Sequence, residues 1–215
     1  GAAGASHAQL RLGDVEKGFA ASAHVVEREF RTATVHQGYI EPFAATAFWS
    51  PDDYLSIWTS TQNAFGIRNT TSAILGLPES RVKVVPLEVG GGFGGKGTGY
   101  IEPVAALLSK KSSAPVKMVM TRKEVFEGTG PTSGTFIRCK IGADSDGYIK
   151  AAEMHMAYEA GAYPGSPVGG GAFPALGAYK IDNILVDGYD VVVNKPKTQS
   201  YRAPGQPQSA HAVET

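Results

Sequence analysis

Val89-Gly90-Gly91-Gly92-Phe93-Gly94-Gly95-Lys96 holds five glycines in eight residues. An apolar, β-branched run from Arg81 to Val89 leads into it, and a helix-like run from Tyr100 to Lys111 follows. Glycine reaches φ > 0 without strain and admits another group close to the backbone. A strand, then bare amides, then a helix N-terminus make a cradle for an anionic or oxo ligand. Phe93 is the large ring of this run, and the chemistry of the chain is expected around it.

Three general patterns compete for the stretch. A P-loop needs Gly-x-x-x-x-Gly-Lys followed by Ser or Thr, whose hydroxyl ligates magnesium. Gly90 to Lys96 fits until Gly97 stands where the hydroxyl belongs, with Thr98 one residue late. The dinucleotide pattern Gly-x-Gly-x-x-Gly is met by Gly90, Gly92 and Gly95, but no carboxylate follows near Met120-Thr121-Arg122. Arg122 there suits a 2′-phosphate. The third reading is a tight loop that packs helix on strand. Against it stands Phe93, a ring set among glycines as if presented to a pocket.

The 215 residues suffice to bury a core, with 42% hydrophobic and 19% charged residues indicating a globular chain. Lys+Arg and Asp+Glu both number 20, and this balance argues against non-specific nucleic-acid or acidic-membrane binding. The lone Cys139 excludes an internal disulfide and leaves cysteine-based zinc or iron–sulfur sites without ligands. It sits in an alternating run and reads as a small buried residue. No apolar run approaches the roughly 18 residues of a membrane span. A cytoplasmic location is the expectation.

Coarse patterning alternates strands and helices. Asp14 is expected to cap a short helix to Ala21, with strands at His24 to Val35 and, around the turn Ser50-Pro51-Asp52-Asp53, at Thr46 to Thr59. Gln62 to Leu75 reads as a helix closed by Gly76, and Ile101 to Leu108 as another. Val116 to Met120 reads as a buried strand, Arg122 to Glu127 as a helix, and Gly134 to Ile141 with Tyr148 to Tyr158 as a hairpin about Asp146-Gly147. Ile184 to Asn194 is a further strand. Ser209 to Glu214 opens a helix that the chain end interrupts, as in a piece of something larger. A second glycine cluster spans Gly161 to Gly177.

Gly91-Gly92-Phe93-Gly94-Gly95-Lys96 resembles the signature of the molybdenum hydroxylases, the family of xanthine dehydrogenase, aldehyde oxidase and carbon monoxide dehydrogenase. Three other segments agree in order. His36-Gln37-Gly38-Tyr39-Ile40-Glu41-Pro42 is similar to that family's His…Glu-Pro segment, and Ser60-Thr61-Gln62-Asn63 to its Thr-Gln segment. Tyr201-Arg202-Ala203-Pro204-Gly205-Gln206 is similar to its Arg-Ala-Pro-Gly segment. The resemblance implies an α+β fold of mixed helices and sheets that binds a molybdenum cofactor. Residues 14–215 would be the first section of a longer large subunit, truncated at its C-terminus, with residues 1–13 a linker or frayed N-terminus.

The resemblance also implies roles. Gln62 would donate its side-chain amide to an oxo ligand, Gly91, Gly92, Phe93 and Gly94 would line the molybdopterin, and Arg202 would orient substrate or stabilise developing charge. Gln62 and Arg202 are thus the expected catalytic residues. The cofactor would be molybdenum–molybdopterin in its cytosine dinucleotide form, with iron–sulfur and FAD groups on partner subunits or domains. Its substrate would be a small aromatic N-heterocycle or aldehyde, hydroxylated with water-derived oxygen. His36 and His155 would not be metal ligands, Glu41 is as apt to be structural, fixing a turn near the pocket, as to serve the site, and the catalytic glutamate would lie outside this chain, leaving the fragment inactive alone.

Two departures bear on substrate. Gly97 replaces the glutamate of purine-oxidising members, and Ala203 replaces the cysteine that holds copper in carbon monoxide dehydrogenases. The alternative from another class is a stand-alone dinucleotide-binding or non-catalytic interaction module.

Overall fold

The computed structural model describes residues 6–215. Its chain divides into two compact units, residues 36–130 and the flanking residues 1–35 with 131–215. The expected section 14–215 is therefore built from two bodies, one inserted in the chain of the other.

The flanking unit is a five-stranded sheet in the order β1-β9-β8-β7-β2. Its strands are β1 (His7–Leu12), β2 (His24–Thr32), β7 (Thr135–Ala143), β8 (Ile149–Gly161) and β9 (Ile184–Val192). All neighbours are antiparallel except β8 and β9. Helix α1 (Val15–Ala20) begins at Asp14, whose side chain accepts from the Lys17 N–H. Residues 1–5 of the expected linker lie outside the described residues, but His7–Leu12 is an edge strand held on β9. Its alternation is too short and too polar to stand out from a frayed end.

Ile137, Met154, Met156, Tyr158 and Val186 form the centre of this unit's core, with α5 (Val168–Ala172) and α6 (Gln206–Glu214) packed on the sheet. Cys139 is buried there, and burial pushes its thiol up to about 11, so it is a packing residue.

The inserted unit is a four-stranded sheet in the order β5-β4-β3-β6. Strands β3 (Ala44–Trp49) and β4 (Leu55–Thr59) form the expected hairpin. Helix α2 (Ala64–Leu75), capped by Asn63 and ended by Gly76 at φ 66°, leads to β5 (Val82–Pro86), parallel to β4. Helix α3 (Glu102–Ser112) covers β3, and the Ala105 and Ala106 faces bury against Ala47, Leu55 and Ile57. Strand β6 (Val116–Val119) pairs only with β3, so it is an edge strand rather than the fully buried one its apolar run suggested. A Thr121–Glu124 capping box starts α4 (Arg122–Gly128).

Candidate functional site

Parallel pairing of β4 and β5 places both strand C-termini at one edge of the sheet, with Thr59 opposite Pro86. Ser60-Thr61-Gln62-Asn63 leaves the first strand there and the glycine loop leaves the second. Open sheets bind ligands outside such carboxyl ends. Two segments about thirty residues apart in sequence thereby meet.

They are stitched together by backbone and side chain. The Gln62 N–H donates to the Lys96 carbonyl at 3.0 Å, and the Thr61 hydroxyl donates to the same oxygen at 3.0 Å. The Asn63 amide reaches the Gly97 carbonyl at 3.3 Å. The Gly94 N–H donates to Gln62 Oε1 at 2.9 Å. An N–H donor demands the oxygen end of the amide, so Gln62 Nε2 is the end left over, and it meets no acceptor among the described residues.

The loop itself turns through left-handed conformations at Gly91 (φ 92°), Phe93 (φ 51°) and Gly94 (φ 97°). Phe93 adopts this conformation at a cost of about 1–2 kcal/mol for a residue with a Cβ. Phe93 as a whole is 46% exposed. Within the loop the Gly95 N–H returns to the Gly92 carbonyl at 2.8 Å. The N–H groups of Gly91, Gly92 and Phe93 donate to nothing among the described residues. Successive N–H groups in such a turn make an anion-binding concavity. Of the four loop residues expected to line a ligand, Gly91, Gly92 and Phe93 keep their N–H donors and Gly94 spends its own on Gln62.

Space dictates several of these glycines. A Cβ on Gly92 would lie 2.4 Å from Gln62 Oε1, and one on Gly90 would lie 2.6 Å from the Glu41 Cβ. At Gly97 nothing lies within 4 Å, so the place of the purine-type glutamate is open.

Lys96 does not face the concavity. It is fully buried, with Nζ 2.5 Å from Glu41 Oε2 and 5.2 and 5.9 Å from the Tyr39 and Phe43 rings. A P-loop lysine must point at phosphates, so that pattern does not apply. Arg122, the candidate for a 2′-phosphate, instead donates to the Ile40 carbonyl at 2.5 Å and lies over Phe126. Glu41 also accepts from the Gly90 N–H at 2.7 Å. Burial works against its charge, but Lys96 and Gly90 outweigh it and hold its carboxyl below the usual range.

Arg202 belongs to the other unit, on the loop between β9 and α6. Ala203 follows it at φ 57° and Gly205 at φ 86°, so this loop too is held in strained backbone. Tyr158, fully buried, donates its hydroxyl to the Gly205 carbonyl at 2.8 Å. The second glycine cluster explains itself here. A Cβ on Gly170 would sit 2.4 Å from the Pro204 carbonyl, and one on Gly171 would sit 2.3 Å from the Tyr158 hydroxyl. Bare α5 lets the Arg202 loop lie on it. A cavity of about 400 Å³ opens alongside, lined by Ser166, Gly170, Lys197, Ser200 and Pro204.

Sequence reasoning missed the Glu41–Lys96 pair and Tyr158, whose partners lie about fifty residues away and leave no local signal. Among the described residues, no group of three or more His, Cys, Asp or Glu side chains is placed to hold a metal, and no helix is long and apolar enough to cross a membrane.

Residues 2–215 match the molybdopterin cofactor-binding domain, and the chain belongs to that family. It is 31% identical over 204 residues to the nicotinate dehydrogenase large molybdopterin subunit of Eubacterium barkeri, a match covering 94% of this chain and 48% of that protein. With the xanthine dehydrogenase of Dictyostelium discoideum it shares 30% over 205 residues, 93% of this chain and 15% of the other. The quinoline 2-oxidoreductase of Pseudomonas putida 86 superposes with a TM-score of 0.86 at 26% identity, over 97% of this chain and 29% of that one. The chain thus spans about half or less of the length of these relatives.

Proposed function

We propose that this chain forms part of the molybdopterin site of a molybdenum hydroxylase acting on an aromatic N-heterocycle or aldehyde. The observation that carries it is the donor set: three successive N–H groups from Gly91 to Phe93, beside a Gln62 Nε2 that meets no acceptor among the described residues. Such a set suits a group rich in oxo, sulfur and phosphate acceptors, and it offers no cation that would suit a metal-free phosphate grip. The residues present fit the cofactor.

Gln62 and the Gly91, Gly92 and Phe93 amides would hold it, with Gly94 orienting Gln62 rather than touching the ligand. When bound, the group supplies the two-electron redox chemistry. The protein's share is a preorganised array of donors, fixed before reaction and so free of reorganisation cost. The Phe93 ring bounds the space in front of the loop. The Arg202 guanidinium would orient substrate or stabilise charge that develops on it. An open position at Gly97 provides no carboxylate to recognise a purine.

In this reading the catalytic glutamate lies outside the 215 residues, and the chain alone is inactive. Iron–sulfur and FAD groups reside on partner subunits or domains, and the cofactor is the cytosine dinucleotide form. A cytoplasmic location accords with such an assembly. Native mass spectrometry of the purified chain tests the reading. A molybdopterin-sized adduct, or a cytosine dinucleotide one, supports it; a nicotinamide dinucleotide adduct overturns it.

A further inference from the structure

Lys96 has no part in the donor array, yet no other lysine of the described residues is buried so completely. An ammonium removed from water is costly unless it is paired, and an apolar side chain would fill the same space without that cost. What the charge does is visible in its partners. One oxygen of Glu41 takes the Lys96 ammonium at 2.5 Å and the Gly90 N–H at 2.7 Å. The Glu41 N–H returns to the Gly90 carbonyl at 3.1 Å. The first and last residues of the glycine loop therefore close on a single carboxylate oxygen.

The same Lys96 holds the other half of the site through its backbone. Its carbonyl accepts from the Gln62 N–H and from the Thr61 hydroxyl, both at 3.0 Å. Ser60 Oγ stands 3.4 Å from its ammonium, and the Tyr39 and Phe43 rings shield it from water. Tyr39 also packs under the loop, where a Cβ on Gly95 would meet its ring at 2.8 Å.

We propose that Lys96, with Glu41 as its counter-ion, is the positioning residue that fixes the Gly91–Phe93 amides relative to the Gln62 amide. It touches no ligand. The proposal rests on the cofactor reading above for its purpose, but its geometry is a property of the chain alone. Because the ammonium binds the loop through charge, a side chain of equal length without charge does not replace it. Lys96→Met leaves Glu41 with its Gly90 contact and nothing to hold it against the loop's far end.

The test is a comparison of Lys96→Met, Glu41→Gln and the double variant by nuclear magnetic resonance of the full chain, with thermal unfolding alongside. Each single variant is expected to lose stability: Glu41→Gln leaves the buried ammonium unpaired, and Lys96→Met takes the counter-ion from a half-buried carboxylate. The double variant buries no unpaired charge and is expected to recover stability. Its Gly94 backbone amide and Gln62 side-chain amide resonances are nevertheless expected to stay displaced from wild type, while those of β7 and β8 coincide with it. A structural role alone would return loop resonances and stability together, and that result overturns the proposal. Should Lys96→Met fail to fold, the double variant still decides.

Bound molybdopterin is measured separately by mass. Loss of a residue that orients a ligand-holding group is expected to lower retention about 10- to 100-fold. Undiminished retention in the double variant overturns the proposal. A wild-type chain that retains none shows that this part of the site does not hold the group by itself, and the resonance comparison then decides the role of Lys96.

Discussion

The Gly94 N–H donates to Gln62 Oε1 at 2.9 Å, and that bond fixes which end of the Gln62 amide is free to serve a ligand. Backbone chooses side-chain orientation here, because only oxygen accepts from an N–H. The remaining Nε2 carries two hydrogens and is set beside the Gly91–Phe93 amides. Gln62→Glu preserves the acceptor and abolishes the donor. Folding stability should change by less than about 0.5 kcal/mol, since Gln62 is exposed. Molybdopterin retention should fall by one to two orders of magnitude, in line with about 1.5–3 kcal/mol for a hydrogen bond to a charged group. Metal analysis of purified chain against a melting curve separates the two effects; equal retention in both proteins would remove Gln62 from the site.

Two glycines of the loop should respond oppositely to alanine. At Gly92 the new methyl would lie 2.4 Å from Gln62 Oε1, so Gln62 must leave Gly94 or the loop must shift. At Gly97 the methyl meets nothing within 4 Å. Gly92→Ala should therefore cost about 1–3 kcal/mol, as overpacking does. Gly97→Ala should fall within about 0.5 kcal/mol of wild type. Denaturant titrations of both variants check the contrast, and a Gly92→Ala chain as stable as Gly97→Ala would mean the loop is not held as described.

Much of this was legible from local pattern. Asp14, Asn63-to-Gly76 and Thr121–Glu124 mark helix ends by capping chemistry that acts within four residues or so. The β3–β4 and β7–β8 hairpins carry turn residues that name themselves. The motif Gly91–Gly95 and Gln62 fell together because parallel strands bring their C-terminal loops to one edge. What was not legible depends on tertiary partners. Lys96 next to glycines looks like a phosphate grip, and only Glu41, Tyr39 and Phe43, about fifty residues upstream, turn it inward. The Gly169–Gly171 run gives no hint that its bareness serves the Pro204–Gly205 backbone. Strand β1 pairs with β9 across nearly the whole chain, beyond the reach of any local signal.

Tyr158 should matter through one hydrogen. Its hydroxyl is fully buried and donates to the Gly205 carbonyl, which the Ser209 N–H approaches at 3.4 Å. Burial drives its pKa far above the ordinary tyrosine value, so it is a donor at neutral pH. Tyr158→Phe keeps the ring and removes the bond. The expected loss is about 1–2 kcal/mol. In a chain of this size that is a fall in Tm of roughly 2–8 °C. Arg202 and Ala203 lie on the loop so anchored, and their backbone amides should exchange with solvent faster in the variant. Hydrogen exchange that leaves residues 202–205 unchanged would show that packing on α5, rather than the hydroxyl, holds the loop.

Acid should loosen the inserted unit through His36. Its Nδ1 accepts from the Gly38 N–H at 3.0 Å, which assigns the Nε2 hydrogen to the Thr129 hydroxyl at 2.8 Å. A proton on Nδ1 would break the first of these bonds. Burial foremost, and Arg122 nearby, hold the imidazole pKa below its usual value. The unfolded chain therefore binds the proton more readily than the folded one. Stability from this group is complete above about pH 6.5 and declines as pH falls from there towards the lowered folded value. Below that value the loss is constant. His36→Gln lacks the titration and should flatten the slope of Tm between roughly pH 7 and 5. Glu41 in the same unit has its carboxyl held below the usual range and acts at more acidic pH. Melting curves across that window, wild type beside variant, isolate the contribution; parallel slopes would show that His36 is free to protonate in place.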